Sequence, residues 1–145
     1  MKAVVQRVRA ARVLVAGKVV GSVEAGLCIL LGVAQTDSIA EAARLARRVA
    51  LLRIFENAEG KFDLSIIDVG GAALVVSQFT LIADTAKGNR PSFSHAARPE
   101  DAESLYGAFC EALAGEGVEV ARGLFGARML VEIENDGPVT ILLEA

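Results

Sequence analysis

Gly26-Leu27-Cys28-Ile29-Leu30-Leu31-Gly32-Val33, followed shortly by Ser38-Ile39-Ala40-Glu41, decides the fold class of this chain. The first stretch is continuously apolar from Leu27 to Leu31. It offers no polar face to water and reads as a buried central strand. The second is a capping-box pattern. The Ser38 oxygen is placed to accept from the backbone three residues on, and Glu41 to reach back. From there to about Leu52, the residues Ile39, Ala42, Ala43, Ala46, Val49 and Ala50 make an apolar helix face. Glu41, Arg44, Arg47 and Arg48 fall largely outside it.

Upstream, Val4, Val5 and Val8 alternate with Gln6, Arg7 and Arg9 as a strand does. Val13-Leu14-Val15 and Val19-Val20 flank Ala16-Gly17-Lys18, which reads as a tight hairpin. Downstream, the polar segment 53–65 contains Glu59-Gly60 and predicts a turn. Gly70-Gly71 precedes a strand over 72–76. Residues 82–97 form a long irregular excursion with Gly88, Asn89 and Pro91, and such loops in small domains often carry function.

A second helix begins near Pro99, with Glu100, Asp101 and Glu103 at its positive end. Leu105, Phe109 and Leu113 form its inner face, and Gly115 and Gly117 stop it. Strands are expected over 118–120, 129–133 and 139–143. The pattern predicts an α/β protein: a layered α/β/β domain with a curved, barrel-like sheet and two main helices on one side. No linker, repeat or low-complexity segment divides residues 1–145, so a single domain is expected.

Of 145 residues, 53% are hydrophobic and 23% charged, which fits a globular chain. Aromatics are 5% and Trp is absent, so the core must come from Val, Leu, Ile and Ala. The net charge of −3 argues against a broadly basic nucleic-acid binder. A protein that grips only one end of a nucleic acid needs no more than a local positive patch. Cys28 and Cys110 read as reduced, buried thiols. The N-terminus starts with strand-like alternation rather than a signal peptide, and no apolar stretch approaches a membrane span, so a cytoplasmic location is expected.

The usual catalytic inventory is empty. His95 is the single His and reads as a solvated imidazole in a polar loop, so no two-His metal site forms within one chain. Ser77-Gln78-Phe79-Thr80 ends an apolar run. It reads either as a strand end satisfied locally or as successive N–H groups that hold a developing oxyanion. Asn135-Asp136-Gly137-Pro138 reads either as a hairpin turn or, with a cis Gly-Pro bond, as a displayed pair of carbonyls.

Several motifs resemble those of the D-aminoacyl-tRNA deacylases over nearly the whole chain. They include Gln6-Arg7-Val8, Arg53-Ile54-Phe55, Val75-Val76-Ser77-Gln78-Phe79-Thr80-Leu81, Lys87-Gly88-Asn89-Arg90-Pro91-Ser92-Phe93 and Asn135-Asp136-Gly137-Pro138-Val139-Thr140. The resemblance implies ester hydrolysis at the 3′-terminal adenosine of aminoacyl-tRNA, with no cofactor or metal. It places Ser77, Gln78, Phe79 and Thr80 at the catalytic site, with backbone N–H groups of Phe79 and Thr80 on the oxyanion and the tRNA 2′-hydroxyl assisting water.

The resemblance also implies a homodimer in which Gly137-Pro138, in cis, enters the partner's pocket and rejects L side chains. Glycyl-tRNA, including that mischarged on tRNA-Ala, would pass. Arg7, Lys87, Arg90 and Asn135 are the expected tRNA or substrate contacts, and neither DNA nor a membrane is an expected partner. Three alternatives stand beside this reading: Thr80 as a nucleophile, a sibling deacylase of other mischarged tRNAs, and a non-catalytic RNA-binding dimer.

Overall fold

The computed structural model describes residues Met1–Ala145. Along the chain run β1 (Lys2–Val15), β2 (Lys18–Val23), β3 (Gly26–Gly32), α1 (Ile39–Ala50), β4 (Phe55–Glu56), β5 (Phe62–Leu64) and the one-turn α2 (Ile66–Val69). There follow β6 (Ala72–Ser77), a 3-10 turn (Phe79–Ile82), α3 (Pro99–Gly115), β7 (Glu119–Arg122) and β8 (Leu130–Glu144).

The main sheet has six strands in the order β2-β1-β3-β6-β7, with β8 also on β1. β1 is antiparallel to β2, β3 and β8, while β3–β6 and β6–β7 are parallel. β1 is long enough to pair with β3 from Lys2 to Val8 and with β2 from Ala11 to Val15. At the far edge β7 curls back toward β2. A Cβ on Gly21 would lie 2.2 Å from the Arg122 carbonyl oxygen, so only glycine allows the two strands to approach this closely. This near closure makes the sheet barrel-like, as expected.

Alternation along the central strands divides the core in two. Leu27, Ile29 and Leu31 of β3 and Ala73 and Val75 of β6 join the larger cluster with α1 and α3. Cys28, Leu74 and Val76 face the barrel interior with Val8, Ala11, Val13 and Val23. Both long helices therefore cover one side of the sheet. The β1–β2 hairpin turns through Ala16 (φ 49°) and Gly17 (φ 78°), the paired positive values that match strand twist.

α1 starts at the expected cap, with Ala40 N–H donating to Ser38 Oγ at 3.2 Å and Ser38 N–H to Glu41 at 2.9 Å. Its buried face differs from the expected one. Ala42, Leu45, Ala46, Val49 and Ala50 are buried, whereas Ile39 is 69% exposed and Ala43 is exposed. The stripe is phased on Leu45, the bulkiest residue available at i, i+3, i+4 spacing, and Ile39 in the first turn lies beyond it. The expected turn over 53–65 is a small hairpin, β4–β5, held by Asn57 Oδ1 accepting from Glu59 and Lys61 N–H at 3.0 Å each.

The C-terminal strands also depart from expectation. Residues 129–133 and 139–143 do not form two strands around a hairpin turn; both belong to β8, which follows β1 from end to end. Its register jumps from Asn135 opposite Val8 to Thr140 opposite Gln6, so the intervening residues bow out as a bulge. β1 is long enough to carry both halves, and the Asn135 side chain closes the gap: Val139 N–H donates to Oδ1 at 2.7 Å and Nδ2 donates to the Val139 carbonyl at 3.2 Å. The Gly137-Pro138 bond within the bulge is cis.

Candidate active site

β6 ends at Ser77, where Gln78 N–H makes a last bond to the Leu31 carbonyl at 2.8 Å. The chain then tightens into the 3-10 turn, with Leu81 N–H on the Gln78 carbonyl and Ala83 N–H on the Thr80 carbonyl, both 3.2 Å. The N–H groups of Phe79 and Thr80 belong to its first turn and have no acceptor within the chain. Gly32 admits this turn against β3, since a Cβ there would sit 2.9 Å from Leu81 Cβ and 3.1 Å from the Gln78 carbonyl oxygen.

Beside the turn lies a mostly apolar cavity of about 600 Å³. Val76, Ser77, Gln78 and Phe79 form one wall, the loop residues Phe93, Ala96 and Ala97 another, and Phe125, Met129 and Val131 a third. Phe79 is 55% exposed and meets Phe93 edge to face, with centroids 5.0 Å apart. Phe93 is placed by a short bridge in which Asp84 and Ser92 exchange backbone bonds of 2.8 and 2.9 Å.

Tyr106 supports the cavity from beneath, and sequence reasoning passed over it. Its hydroxyl donates to the Val75 carbonyl at 2.8 Å, and its ring leans on Phe125 at 6.0 Å. Burial, then the neighbouring Cys110, pushes its pKa well up, so the group stays protonated and donates. The available signal was its status as the sole tyrosine, one turn from Phe109 on the inner face of α3. Phe125 and Met129 carried no local signal.

No side chain here is equipped as a nucleophile. Thr80 Oγ1 accepts from Gln78 Nε2 at 2.5 Å, and no imidazole or carboxylate is bonded to it. His95 is exposed and lies outside the cavity lining. Nowhere do three His, Cys, Asp or Glu side chains gather as a metal would require.

The Gly137-Pro138 bulge stands apart. Neither residue lines the cavity and both are exposed. Arg7, only 7% exposed, supports the bulge. Its Nε donates to the Asp136 carbonyl at 3.0 Å and Nη1 to the Ile54 carbonyl at 2.8 Å; Nη2 lies 3.6 Å from Glu56. The guanidinium also lies 5.5 Å from the Phe62 ring centroid. Asn135 closes the same bulge and contacts Thr140 Oγ1 at 3.1 Å. Lys87 and Arg90 are exposed on the loop that presents Phe93. One protomer therefore brings Ser77, Gln78 and Phe79 to the cavity, leaves Thr80 outside its lining, and gathers Arg7, Asn135, Gly137 and Pro138 elsewhere.

A family model described as D-Tyr-tRNA(Tyr) deacylase matches residues 4–144. The chain belongs to the D-Tyr-tRNA(Tyr) deacylase family. Relatives named D-aminoacyl-tRNA deacylase include one from Chloroflexus aurantiacus, 59% identical over all of this chain and 91% of that protein. Another, from Thermus aquaticus, is 50% identical over all of this chain and 95% of its own length.

Among solved structures, one described as c-Myc DNA Unwinding Element Binding Protein superposes with a TM-score of 0.94 at 43% identity, covering 100% of this chain and 99% of that one. A second, described as a probable eukaryotic D-amino acid tRNA deacylase, shares the fold alone, with a TM-score of 0.85 at 17% identity over 99% and 98% of the two chains. As a member of this deacylase family the chain is a hydrolase of the aminoacyl-tRNA ester bond, and no helix in it is long and apolar enough to cross a membrane.

Proposed function

We propose that the cavity beside Ser77-Gln78-Phe79-Thr80 receives the D-aminoacyl group on the 3′-terminal adenosine of tRNA, in a homodimer whose Gly137-Pro138 bulges complete each other's cavities. One observation carries the reading: two unbonded backbone donors, on Phe79 in the lining of an apolar cavity and on Thr80 next to it, where no hydroxyl is bonded to an imidazole or carboxylate. Water adds to the ester carbonyl carbon, and the two amide dipoles stabilise the oxyanion. A donor of this kind is worth roughly 10²–10³ in rate. The bond to the ribose 3′ oxygen then breaks, that oxygen takes the proton lost by water, and free D-amino acid and tRNA leave. The tRNA 2′-hydroxyl positions or activates the water. Gln78 orients the turn through Thr80, and the Phe79–Phe93 pair offers a face to the adenine.

The bulge supplies stereochemical rejection. An L side chain would strike the Gly137-Pro138 carbonyls of the partner, while a D side chain points to open space and glycine has nothing to reject. Glycyl-tRNA, including glycine mischarged on tRNA-Ala, is therefore a second substrate. The exposure of Gly137 and Pro138 and their separation from the protomer's own cavity support this arrangement. Arg7 and Asn135 serve it by holding the bulge, and Lys87 and Arg90 meet tRNA phosphates. A cytoplasmic location follows from that substrate. The DNA binding named for one structural relative belongs to that protein; the net charge of −3 here gives no broad field for duplex phosphates.

The deciding experiment is hydrolysis of D-Tyr-tRNA beside L-Tyr-tRNA, with Thr80→Ala run in parallel. D-only cleavage that survives in the variant is expected. Abolition by Thr80→Ala would make Thr80 the nucleophile, cleavage of both esters would remove the stereochemical wall, and cleavage of neither would overturn the reading.

A further inference from the structure

Four of the chain's 15 Lys and Arg residues line one surface groove of about 440 Å³: Arg44, Arg47, Arg48 and Arg53. The remaining lining is Leu51, Leu52 and Leu143, with no carboxylate. Concentrating positive charge in one groove runs against the overall balance of −3. Three of these guanidinium groups have an acceptor within the chain and one has none, and all four residues are exposed. Arg47 has no acceptor within the chain, Arg44 meets only Glu41 at 3.3 Å with its side chain 57% exposed, and Arg48 bonds a single exposed carbonyl, that of Glu144. Arg53 binds Asp63 and remains 66% exposed. Helix-end arginines also complement the α1 dipole, but that explanation does not reach Arg53, which lies beyond the helix.

The groove has a definite neighbour. Arg53 precedes Ile54, whose carbonyl anchors Arg7, and Arg7 in turn holds the Asp136 carbonyl beside Gly137. A short chain of contacts thus links the basic surface to the bulge that the proposed dimer inserts beside a substrate. Guanidinium forks suit phosphate oxygens, and an RNA strand presents phosphates at regular intervals.

We propose that this arginine groove binds the phosphodiester backbone of the tRNA acceptor stem while the terminal adenosine occupies a catalytic cavity. This rests on the tRNA-deacylase reading of that cavity. The groove supplies affinity for the tRNA body without touching the reacting ester.

The test compares two esters that differ in phosphates: D-Tyr-tRNA and D-tyrosyl-adenosine. In Arg44→Gln/Arg47→Gln, kcat/KM for the tRNA ester should fall about tenfold or more while that for the adenosine ester holds. Losing two phosphate contacts should also flatten the salt dependence, so that the wild-type advantage shrinks roughly tenfold between 50 and 200 mM salt. Arg12→Gln, in a separate groove lined by Glu24, Glu119, Glu132 and Glu134, should leave the ratio unchanged. Should the double variant lose its fold, Arg47→Glu alone decides the matter through the same ratio. An unchanged ratio, or equal losses on both esters, overturns the groove while leaving the catalytic reading intact. Failure of the wild type to cleave either ester overturns both.

Discussion

Arg7 donates through Nε to the backbone carbonyl of Asp136 at 3.0 Å, so the first strand of the protein fixes the bulge in its last. The same side chain reaches Ile54, Glu56 and Phe62, and no other residue ties these segments to the bulge in this way. Lysine keeps the charge but not the planar fork. Arg7→Lys should therefore lower stability by about 2–4 kcal/mol, from charged bonds worth roughly 1.5–3 kcal/mol each. It should also erode the preference for D over L esters. Urea denaturation and paired kinetics check both, and wild-type values in each would remove Arg7 from this role.

Gly137 is the tightest point of the bulge. An added Cβ would lie 2.7 Å from Val139 Cγ2 and 3.1 Å from Arg7 Nη2, on a backbone with φ of 138° that side chains rarely adopt. Gly137→Ala should cost about 1–3 kcal/mol. D-ester hydrolysis should fall further than that loss of stability explains. A variant that melts and turns over like the wild type would show that the bulge tolerates a methyl group.

Phe79 and Phe93 touch edge to face, yet Phe79 is 55% exposed. Such a pair contributes about 0.5–1.5 kcal/mol. Phe79→Ala should therefore melt within a few degrees of the wild type while KM for D-Tyr-tRNA rises severalfold. If stability drops sharply and KM is unmoved, the ring is core rather than binding face.

The cap of α2 should show in acid. Asp68 accepts from Ser65 N–H at 2.8 Å and from its hydroxyl at 2.9 Å, and these bonds, backbone first, hold its pKa below the ordinary 3.8. Because the folded value is depressed, the stabilisation is complete above 3.8 and is lost as pH falls through the folded value. Asp68→Ala should lower Tm at neutral pH, with the difference closing below pH 3.8. A difference that persists unchanged in acid would assign the effect to something other than the carboxylate.

Both thiols should be silent in the native protein. Burial pushes Cys28 up from 9.0 to about 11, and burial likewise raises Cys110. Ellman's reagent at pH 8 should find no thiol before denaturation and both after it. Since the folded value of Cys28 is raised, stability is full below 9.0 and declines as pH climbs toward 11. Rapid labelling of Cys28 in the native protein would mean that the barrel interior opens readily, and of Cys110 that α3 lifts from its core.

What was legible in the sequence was local. The unbroken run of β3, the Ser38 cap and the Ala16-Gly17 turn each carry their instruction within a few residues, and each formed as expected. The phase of α1 was not legible, because Ile39 and Leu45 are equally apolar and only docking against the sheet and α3 chooses between them. Nor was the continuity of β8. Asn-Asp-Gly-Pro suits a reversal, and what prevents one is the length of β1, a strand more than a hundred residues away. Of the candidate site, Ser77 to Thr80 was visible as a polar end to an apolar strand. Phe125 and Met129 were not, since they reach the cavity only through tertiary folding, and Tyr106 shows its part only through its bond to Val75 beneath it. Arg7 was expected at the tRNA or substrate; its bonds to the Asp136 and Ile54 carbonyls were not legible, because both partners come from distant segments.

β1 pairs with β8 along nearly its whole length, from Lys2 opposite Glu144 to Leu14 opposite Leu130. A segment translated early thus waits for one translated more than a hundred residues later. Until synthesis has passed β8, one complete edge of β1 stays open, with its amides and carbonyls available to any extended peptide. Such non-local pairing slows folding and lengthens exposure to aggregation. Truncation within residues 130–144 should therefore do more than trim a terminus, because it strips the partner from the strand on which the rest of the sheet is assembled.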